Sequence, residues 1–194
     1  MEPTATAGIA APPTAMESPI TEIQDFDSVV QRYWPRILRF VLAAIQDSDV
    51  AETLTQDCFL KAYRNRLAFR GDSSLSTWLM SIAVNLVRDH TRNRGFQFWR
   101  TAQRSAIDSK GTGEWLPDRS MSPEQRALIN EQVQAVWDAT KNLSERQRTV
   151  FLLRYVEDLD ILEIAEATGL TENAVNVHLF RAIRNVRKRV RKPQ

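Results

Sequence analysis

The residues with the clearest chemical potential lie near the end of the chain and could form hydrogen bonds to DNA. Asparagine can bond bidentately to adenine and arginine to guanine, and further basic side chains suit phosphates. These residues share one face of a predicted helix: Asn173, Asn176, Phe180, Arg181, Arg184 and Lys188. This face is therefore predicted to bind a polyanion through hydrogen bonds, without a covalent step.

A helix-turn-helix is the element that would position this face. The pattern predicts a short helix from Ile161 to Thr168, closed by a left-handed Gly169, with Leu170 filling the corner and Thr171 capping the next helix. A buried stripe with steps of three and four residues is predicted along that helix: Val175, Leu179, Ile183, Val186 and Val190. Such a motif places its second helix in the major groove. An ordinary helical hairpin with a solvated polar face is the alternative interpretation.

Composition and charge narrow the class of protein. The net charge of +2 over 194 residues hides an acidic start and a chain end, from Arg181, that has seven basic residues and no acid. A basic end indicates nucleic acid or a solvated tail. The single cysteine, Cys58, excludes an internal disulfide, and neither histidine has a second ligand at metal spacing. We therefore expect no metal or cofactor. With no apolar run of about 18 residues, we also expect no membrane insertion and a cytoplasmic protein.

Helical periodicity divides the chain into two blocks, so the predicted fold is all-α. We expect a disordered tail over 1–22, a first helical domain over 23–95, a flexible linker over 96–121 and a helix-turn-helix domain over 122–194. In the first domain, Pro35 predicts a kink or a fresh helix start. In the second, capping boxes are predicted at Ser122 and at Ser144.

The first domain contains motifs that are more specific than the helix-turn-helix. The segment from Leu54 to Tyr63 reads LTQDCFLKAY, and the segment from Phe69 to Asn85 reads FRGDSSLSTWLMSIAVN. Both closely resemble the extracytoplasmic-function (ECF) family of RNA polymerase sigma factors. The second domain is similar to that family at EIAE (163–166), ENAV (172–175) and Arg181-Ala182. The resemblance covers about residues 25–190 and follows the family's order of motifs.

The resemblance implies two binding surfaces in the first domain. Glu52, Gln56 and Asp57 would meet a basic coiled coil of core RNA polymerase, although Thr53 departs from the family's usual second acid. The −10 element of promoter DNA would be opened and held by a loop and the helix that follows it. The residues implied are Arg70, Gly71, Asp72, Ser73, Ser74, Leu75, Trp78, Asn85, Arg88 and Arg92. Trp78 also lies on an apolar stripe, which favours packing in the core over strand separation.

The −35 element would be read by the second domain. The implied residues are the six on the polar helix face together with Glu172 and His178. Asn176 and His178 stand where many family members have Lys and Arg, so the sequence read could differ. The function implied is a sigma factor that binds core RNA polymerase and directs promoter recognition, melting and initiation.

Two other functions remain open at this point. One is a sigma-like mimic that binds an anti-sigma protein, and the other is a helix-turn-helix regulator that binds DNA without initiating transcription. An anti-sigma protein is also a further partner that the resemblance leaves open. An enzyme is not expected, since the sequence has no Gly-rich phosphate loop, nucleophile triad or convincing carboxylate pair.

Overall fold

The computed structural model describes residues 23–101 and 135–190, and those residues form helices and turns with no strand. The predicted all-α fold of two helical blocks is confirmed. The predicted tail over 1–22, most of the predicted linker and the predicted helix start at Ser122 lie outside the described residues, as do residues 191–194.

The first block consists of three long helices and one short turn of helix. Helix α1 spans Phe26–Ile45, α2 spans Ser48–Asn65, a 3-10 turn spans Arg66–Ala68 and α3 spans Leu75–Thr101. Side-chain caps fix where these helices begin. Asp25 accepts from the Ser28 backbone N–H, Asp47 from that of Val50 and Ser74 from that of Thr77.

One detail of this block differs from the sequence prediction. Helix α1 continues through Pro35, so the predicted fresh start is wrong. Proline removes only one backbone donor, and a helix whose apolar face is buried on both sides of that position tolerates the loss. Helix α3 continues through Gly95 to Thr101, because a glycine costs only about 1 kcal/mol within a helix.

The second block contains a helical segment over 135–140 and three complete helices. Helix α4 spans Glu145–Tyr155, α5 spans Ile161–Thr168 and α6 spans Glu172–Val190. The predicted helix-turn-helix is confirmed in detail. Gly169 is left-handed with φ 69°, and Thr171 Oγ1 accepts from the Ala174 backbone N–H at 3.3 Å.

The capping box predicted at Ser144 is only half formed. Ser144 accepts from the Gln147 backbone N–H, but the Gln147 side chain accepts from Asn185 of α6 at 3.4 Å. The reciprocal box lies instead at Asp160 and Glu163, which cap α5 in both directions at 2.8 and 2.9 Å. An eight-residue helix gains most from such a cap, because so few of its backbone groups pair internally.

The apolar stripe of α6 is shorter than predicted. Val175 and Val186 are buried and Leu179 and Ile183 are partly buried, but Val190 is 41% exposed because it lies at the very end of the helix. Ala182 is fully buried in the same stripe.

The two blocks pack directly on one another. Helix α3 lies against α5, and α1 lies against α4. One cluster of buried side chains runs from Val29 and Phe40 of α1, through Leu79 of α3, to Leu153 of α4 and Ile164 of α5. The described residues therefore bury one large apolar core across both blocks, and a second, smaller cluster within the second block consists of Ala139, Leu143, Ala182 and Val186.

The turn at Gly169 gives a prediction about stability. A Cβ atom built there meets nothing within 4 Å, so the cost of a side chain comes from the left-handed backbone alone. We expect Gly169→Ala to lower the free energy of unfolding by about 1 kcal/mol. Gly169→Asn should lower it less, since asparagine tolerates this conformation. Urea unfolding followed by circular dichroism measures both, and an alanine variant as stable as the parent would contradict the assigned turn.

Candidate protein and nucleic-acid interfaces

Helix α2 separates a buried face from an acidic exposed face. Ala51, Leu54 and Cys58 are buried, whereas Glu52, Gln56 and Asp57 are all exposed. Positions i, i+4 and i+5 lie side by side on a helix, so the structure brings the three predicted docking residues together. The aromatic pair Trp34 and Phe59 stacks at 5.7 Å behind this face and fixes α2 on α1.

Two features of α2 escaped the sequence prediction. Thr53 Oγ1 donates to the Asp49 carbonyl at 2.9 Å, so this hydroxyl is bonded to the backbone of its own helix. Farther along, Leu60 and Tyr63 of α2 and Leu67 of the 3-10 turn are exposed by 47%, 47% and 91%. Their spacing continues the face of Gln56 in steps of three and four. The acidic face thus passes into an apolar strip, which a search for charged motifs does not detect.

Cys58 belongs to the core and not to either interface. It is fully buried and its thiol donates to the Leu79 carbonyl at 3.5 Å. Burial raises the pKa of the Cys58 thiol to about 12, so the reactive thiolate is suppressed at neutral pH. Its contribution is packing between α2 and α3.

The loop between the 3-10 turn and α3 exposes polar groups, and the residues beneath it pack against the core. Arg70, Asp72 and Ser74 are exposed, and Gly71 adopts φ 76°, which favours glycine. Leu75 is different. It is only 2% exposed and belongs to the core, so its inclusion among the strand-binding residues is not supported by its position. Leu75 lies in the first turn of α3, and that turn packs against the core.

Trp78 lies one turn farther along and packs beside Phe69, with ring centroids 5.1 Å apart. It is partly buried against the core, as its apolar spacing predicted. Ser73 is also only partly exposed.

Beyond this loop, α3 presents a polar ridge. Asn85, Arg88 and Arg92 are exposed at steps of three and four, which places them on one face. The Arg88 guanidinium donates to Asn85 Oδ1 at 2.6 Å, and Arg92 pairs with Asp89 at 3.6 Å. These contacts orient donors toward solvent and leave further N–H groups able to bind a ligand.

The polar face of α6 is open along its whole length. The exposed residues are Glu172, Asn173, Asn176, Phe180, Arg181, Arg184 and Lys188. Phe180 is 67% exposed, and with Ile183, Arg184, Arg187 and Lys188 it lines a shallow groove. Helix α6 thus offers amide groups in its first turns and cations in its later turns.

His178 does not share this open face. It is partly buried, and its Nδ1 atom is buried with no hydrogen-bond partner among the described residues. Burial, together with nearby Arg146 and Arg181, lowers the pKa of His178 and favours the neutral ring. The assignment of His178 to the −35 contact surface is therefore not supported by where the residue lies.

Comparison with known proteins matches both blocks. The family Sigma-70 region 2 matches residues 29–97, and the family Sigma-70, region 4 matches residues 134–186. The RNA polymerase sigma-H factor of Pseudomonas aeruginosa is 32% identical over 162 residues, which are 81% of each chain. This chain belongs to the sigma-70 family of RNA polymerase sigma factors. The predicted resemblance to ECF sigma factors is confirmed.

Other relatives agree with this assignment. The ECF RNA polymerase sigma-E factor of Escherichia coli is 31% identical over 81% of this chain and 82% of its own length. Among solved structures, the sigma factor RpoE from Bartonella quintana, in complex with the anti-sigma factor NepR, matches with a TM-score of 0.68. That match is 20% identical and covers 88% of this chain and 99% of the other, so it supports the fold.

In this sigma factor, region 2 comprises α1 to α3 and region 4 comprises the 135–140 segment with α4 to α6. As a sigma factor it works with core RNA polymerase in promoter recognition and initiation. Within the described residues, no group of three or more His, Cys, Asp or Glu side chains is placed to hold a metal ion. None of the described helices is both long and apolar enough to span a membrane.

Proposed function

We propose that three surfaces divide the work of this sigma factor. The acidic face of α2 docks on core polymerase, the loop over 70–74 and the ridge of α3 hold the melted −10 strand, and α6 reads the −35 element. The observation that carries the proposal is that these polar groups are exposed on three helices with buried opposite faces and on the loop that precedes α3. The polymerase performs the chemistry, so this chain is not an enzyme, and it acts in the cytoplasm.

The docking surface combines charge with apolar contact. Glu52 and Asp57 would approach a basic partner, which accelerates association and fixes orientation. Leu60 and Leu67 would supply buried area beside those charges, since such exposed leucines gain free energy when a partner covers them. Because Thr53 lacks a carboxylate, the apolar strip contributes more of the affinity here.

The −10 surface suits a single strand better than a duplex. A flipped base needs a pocket with hydrogen-bonding groups, and the backbone needs cations. The loop around Gly71 supplies exposed polar groups, and Arg88 and Arg92 supply the cations. Asn85 Oδ1 accepts from Arg88, and the amide N–H groups of Asn85 would donate to a base edge.

The −35 surface is that of a helix-turn-helix, with α5 crossing the backbone and α6 entering the major groove. Asn173 and Asn176 lie in the first two turns, where side chains reach base edges. Arg184 and Lys188 lie farther along, where the helix passes phosphates.

An anti-sigma protein is a further partner that we propose. RpoE of Bartonella quintana is solved with NepR, and CnrH is solved with CnrY. If this chain initiates transcription, such a protein would inhibit it. If the chain does not initiate transcription, it would instead sequester the anti-sigma protein.

Reconstituted transcription tests the proposed function directly. The purified chain is mixed with core polymerase and genomic fragments, and transcript starts are mapped. We expect discrete promoter-specific starts that are absent with core polymerase alone. A chain that binds an anti-sigma protein but yields no specific start would establish the mimic, and one that binds duplex DNA without core polymerase would establish the regulator.

The docking proposal predicts the effect of a double substitution. Gln56→Ala with Asp57→Ala removes one amide and one charge from the proposed contact and leaves the core intact. We expect core-polymerase affinity to fall about tenfold or more, since hot-spot residues typically cost ~2 kcal/mol. Binding is measured by fluorescence anisotropy. Gln31→Ala with Glu166→Ala removes the same two groups from exposed positions elsewhere, and equal affinity of the two double variants would refute the docking face.

The strand-binding proposal predicts a loss of promoter opening. Asn85→Ala should reduce melted complexes several-fold while closed complexes persist, because the amide would bind only the separated strand. Permanganate footprinting detects unpaired thymines. The matched control is Asn93→Ala, an exposed asparagine two turns along the same helix. If Asn85→Ala and the parent melt DNA equally at matched occupancy, the residue has no such role.

Helix α6 is proposed to carry residues that contact bases and residues that contact phosphates, and substitutions in the two sets should have distinct effects. Asn176→Ala should change the ranking of −35 variants, since base contacts carry ~1–3 kcal/mol of discrimination. Arg184→Ala should weaken binding to all variants alike and reduce the salt slope by about one unit. Holoenzyme affinity across a −35 library at several salt concentrations measures both. An Arg184→Ala variant that reorders the library while Asn176→Ala leaves it unchanged would overturn the placement of α6.

A further inference from the structure

The core-facing stripe of α6 fixes which of its residues point away from the protein. Its members follow steps of three and four residues: Val175, Leu179, Ala182 and Val186. Successive residues of an α-helix turn by about 100°, so the opposite side of α6 consists of Asn173, Val177, Phe180 and Arg184. All four are exposed, Val177 by 39% and Phe180 by 67%. Two apolar side chains therefore lie at the centre of the face that is proposed to meet DNA.

Val177 was not among the residues predicted to contact DNA, because a search for hydrogen-bonding groups passes over a valine. A single exposed apolar residue is ordinary on a protein surface. Val177 and Phe180, however, are three positions apart, which makes them neighbours on one helix face. Asn173 lies one turn before them and Arg184 one turn after them. The pair is thus enclosed along the helix by the side chains that are proposed to contact DNA.

The first turns of α6 carry no positive side chain. No Lys or Arg lies between Glu172 and Phe180. The ring of His178 is mainly neutral at pH 7, because burial and the nearby Arg146 and Arg181 lower its pKa. The cations begin only after Phe180, and three of them line the shallow groove at its C-terminal side: Arg184, Arg187 and Lys188. Side chains that lack charge contribute little to phosphate binding, so the first turns are suited to base edges.

Thymine is the base that presents a methyl group in the major groove. The other base edges offer donors and acceptors, which an apolar side chain would remove from water without replacing their hydrogen bonds. Val177 and Phe180 would therefore favour thymine over the other bases. The neighbouring Asn173 and Asn176 can bond adenine, the partner of thymine in the same base pair. Apolar and amide groups of this face thus fit the same kind of base pair.

The spacing of the two side chains limits how far apart their contacts can be. Three residues advance about 4.5 Å along an α-helix. Neighbouring base pairs are about 3.4 Å apart along the duplex. Side chains so close together reach the same base pair or adjacent ones.

We infer that Val177 and Phe180 select thymine in the −35 element by apolar contact with its 5-methyl group, at neighbouring base pairs. These contacts form only if α6 enters the major groove, as in the proposed function on which they rest. Val177 is then a specificity-determining residue of this sigma factor, and Phe180 acts through its ring and not only through the groove that it lines.

Replacement of thymine by deoxyuridine tests the contact, because uracil keeps every hydrogen-bonding group of thymine and lacks only the methyl group. The holoenzyme first selects from promoter duplexes whose −35 region is randomised, and thymine should be enriched at neighbouring base pairs. Each selected thymine is then replaced singly by deoxyuridine. We expect holoenzyme affinity to fall about fourfold for each methyl group that a side chain covers, the ratio for one buried group of that size. Deoxyuridine outside the −35 element should leave affinity unchanged.

Variants of the two residues assign each methyl group to its side chain. Val177→Ser and Phe180→Ser should each abolish the difference between thymine and uracil at one position and keep it at the other, which a double-mutant cycle measures. Phe180→Leu retains an apolar contact and should keep most of the difference. The matched control is Val190→Ser, which alters the exposed valine at the far end of α6 and should behave as the parent. Circular dichroism of each variant checks that the helices are intact.

A −35 preference that contains no thymine, or affinity that is indifferent to uracil at every selected position, overturns the methyl contact and leaves the role of α6 standing. Variants that weaken binding to thymine and uracil promoters alike also overturn it, since the side chains would then act through folding or a protein contact. Loss of the thymine preference in Val190→Ser has the same consequence. A parent holoenzyme with no sequence preference in the −35 library instead contradicts the proposed function of α6, and the methyl contact falls with it.

Discussion

The formation of the short helix α5 is the constraint on which the rest of the second block depends. Helix α5 has only eight residues, and isolated helices of that length are unstable in water. It persists because Ile164, Ala165 and Ala167 are buried and because its first turn carries a reciprocal capping box. Gly169 then turns the chain toward α6 at a fixed angle. The angle of the reading helix is therefore set by the cap, the buried face of α5 and the left-handed turn.

The described arginines show that one residue type can serve opposite purposes. Arg36 and Arg148 give their N–H groups to buried acceptors of the protein, whereas Arg181 and Arg184 are exposed on α6. Arginine suits both tasks because its planar fork bonds carboxylates, carbonyls and phosphates alike. A net charge of +2 thus conceals a separation of roles, in which a few arginines join the two regions and others lie exposed on the helix proposed to meet DNA.

Local patterns predicted the helix-turn-helix well because its determinants are local. The left-handed Gly169 and the cap at Thr171 follow from spacing within ten residues. The hydrogen bonds of Arg36 and Arg39 to Glu157 join residues about 120 positions apart, and nothing near either partner indicates the other. The exposed face of α2 was predictable from motif and period, but the burial of Leu75 and the inward position of His178 depend on which neighbouring helix covers them. Whether a side chain is available to a ligand is decided by tertiary packing.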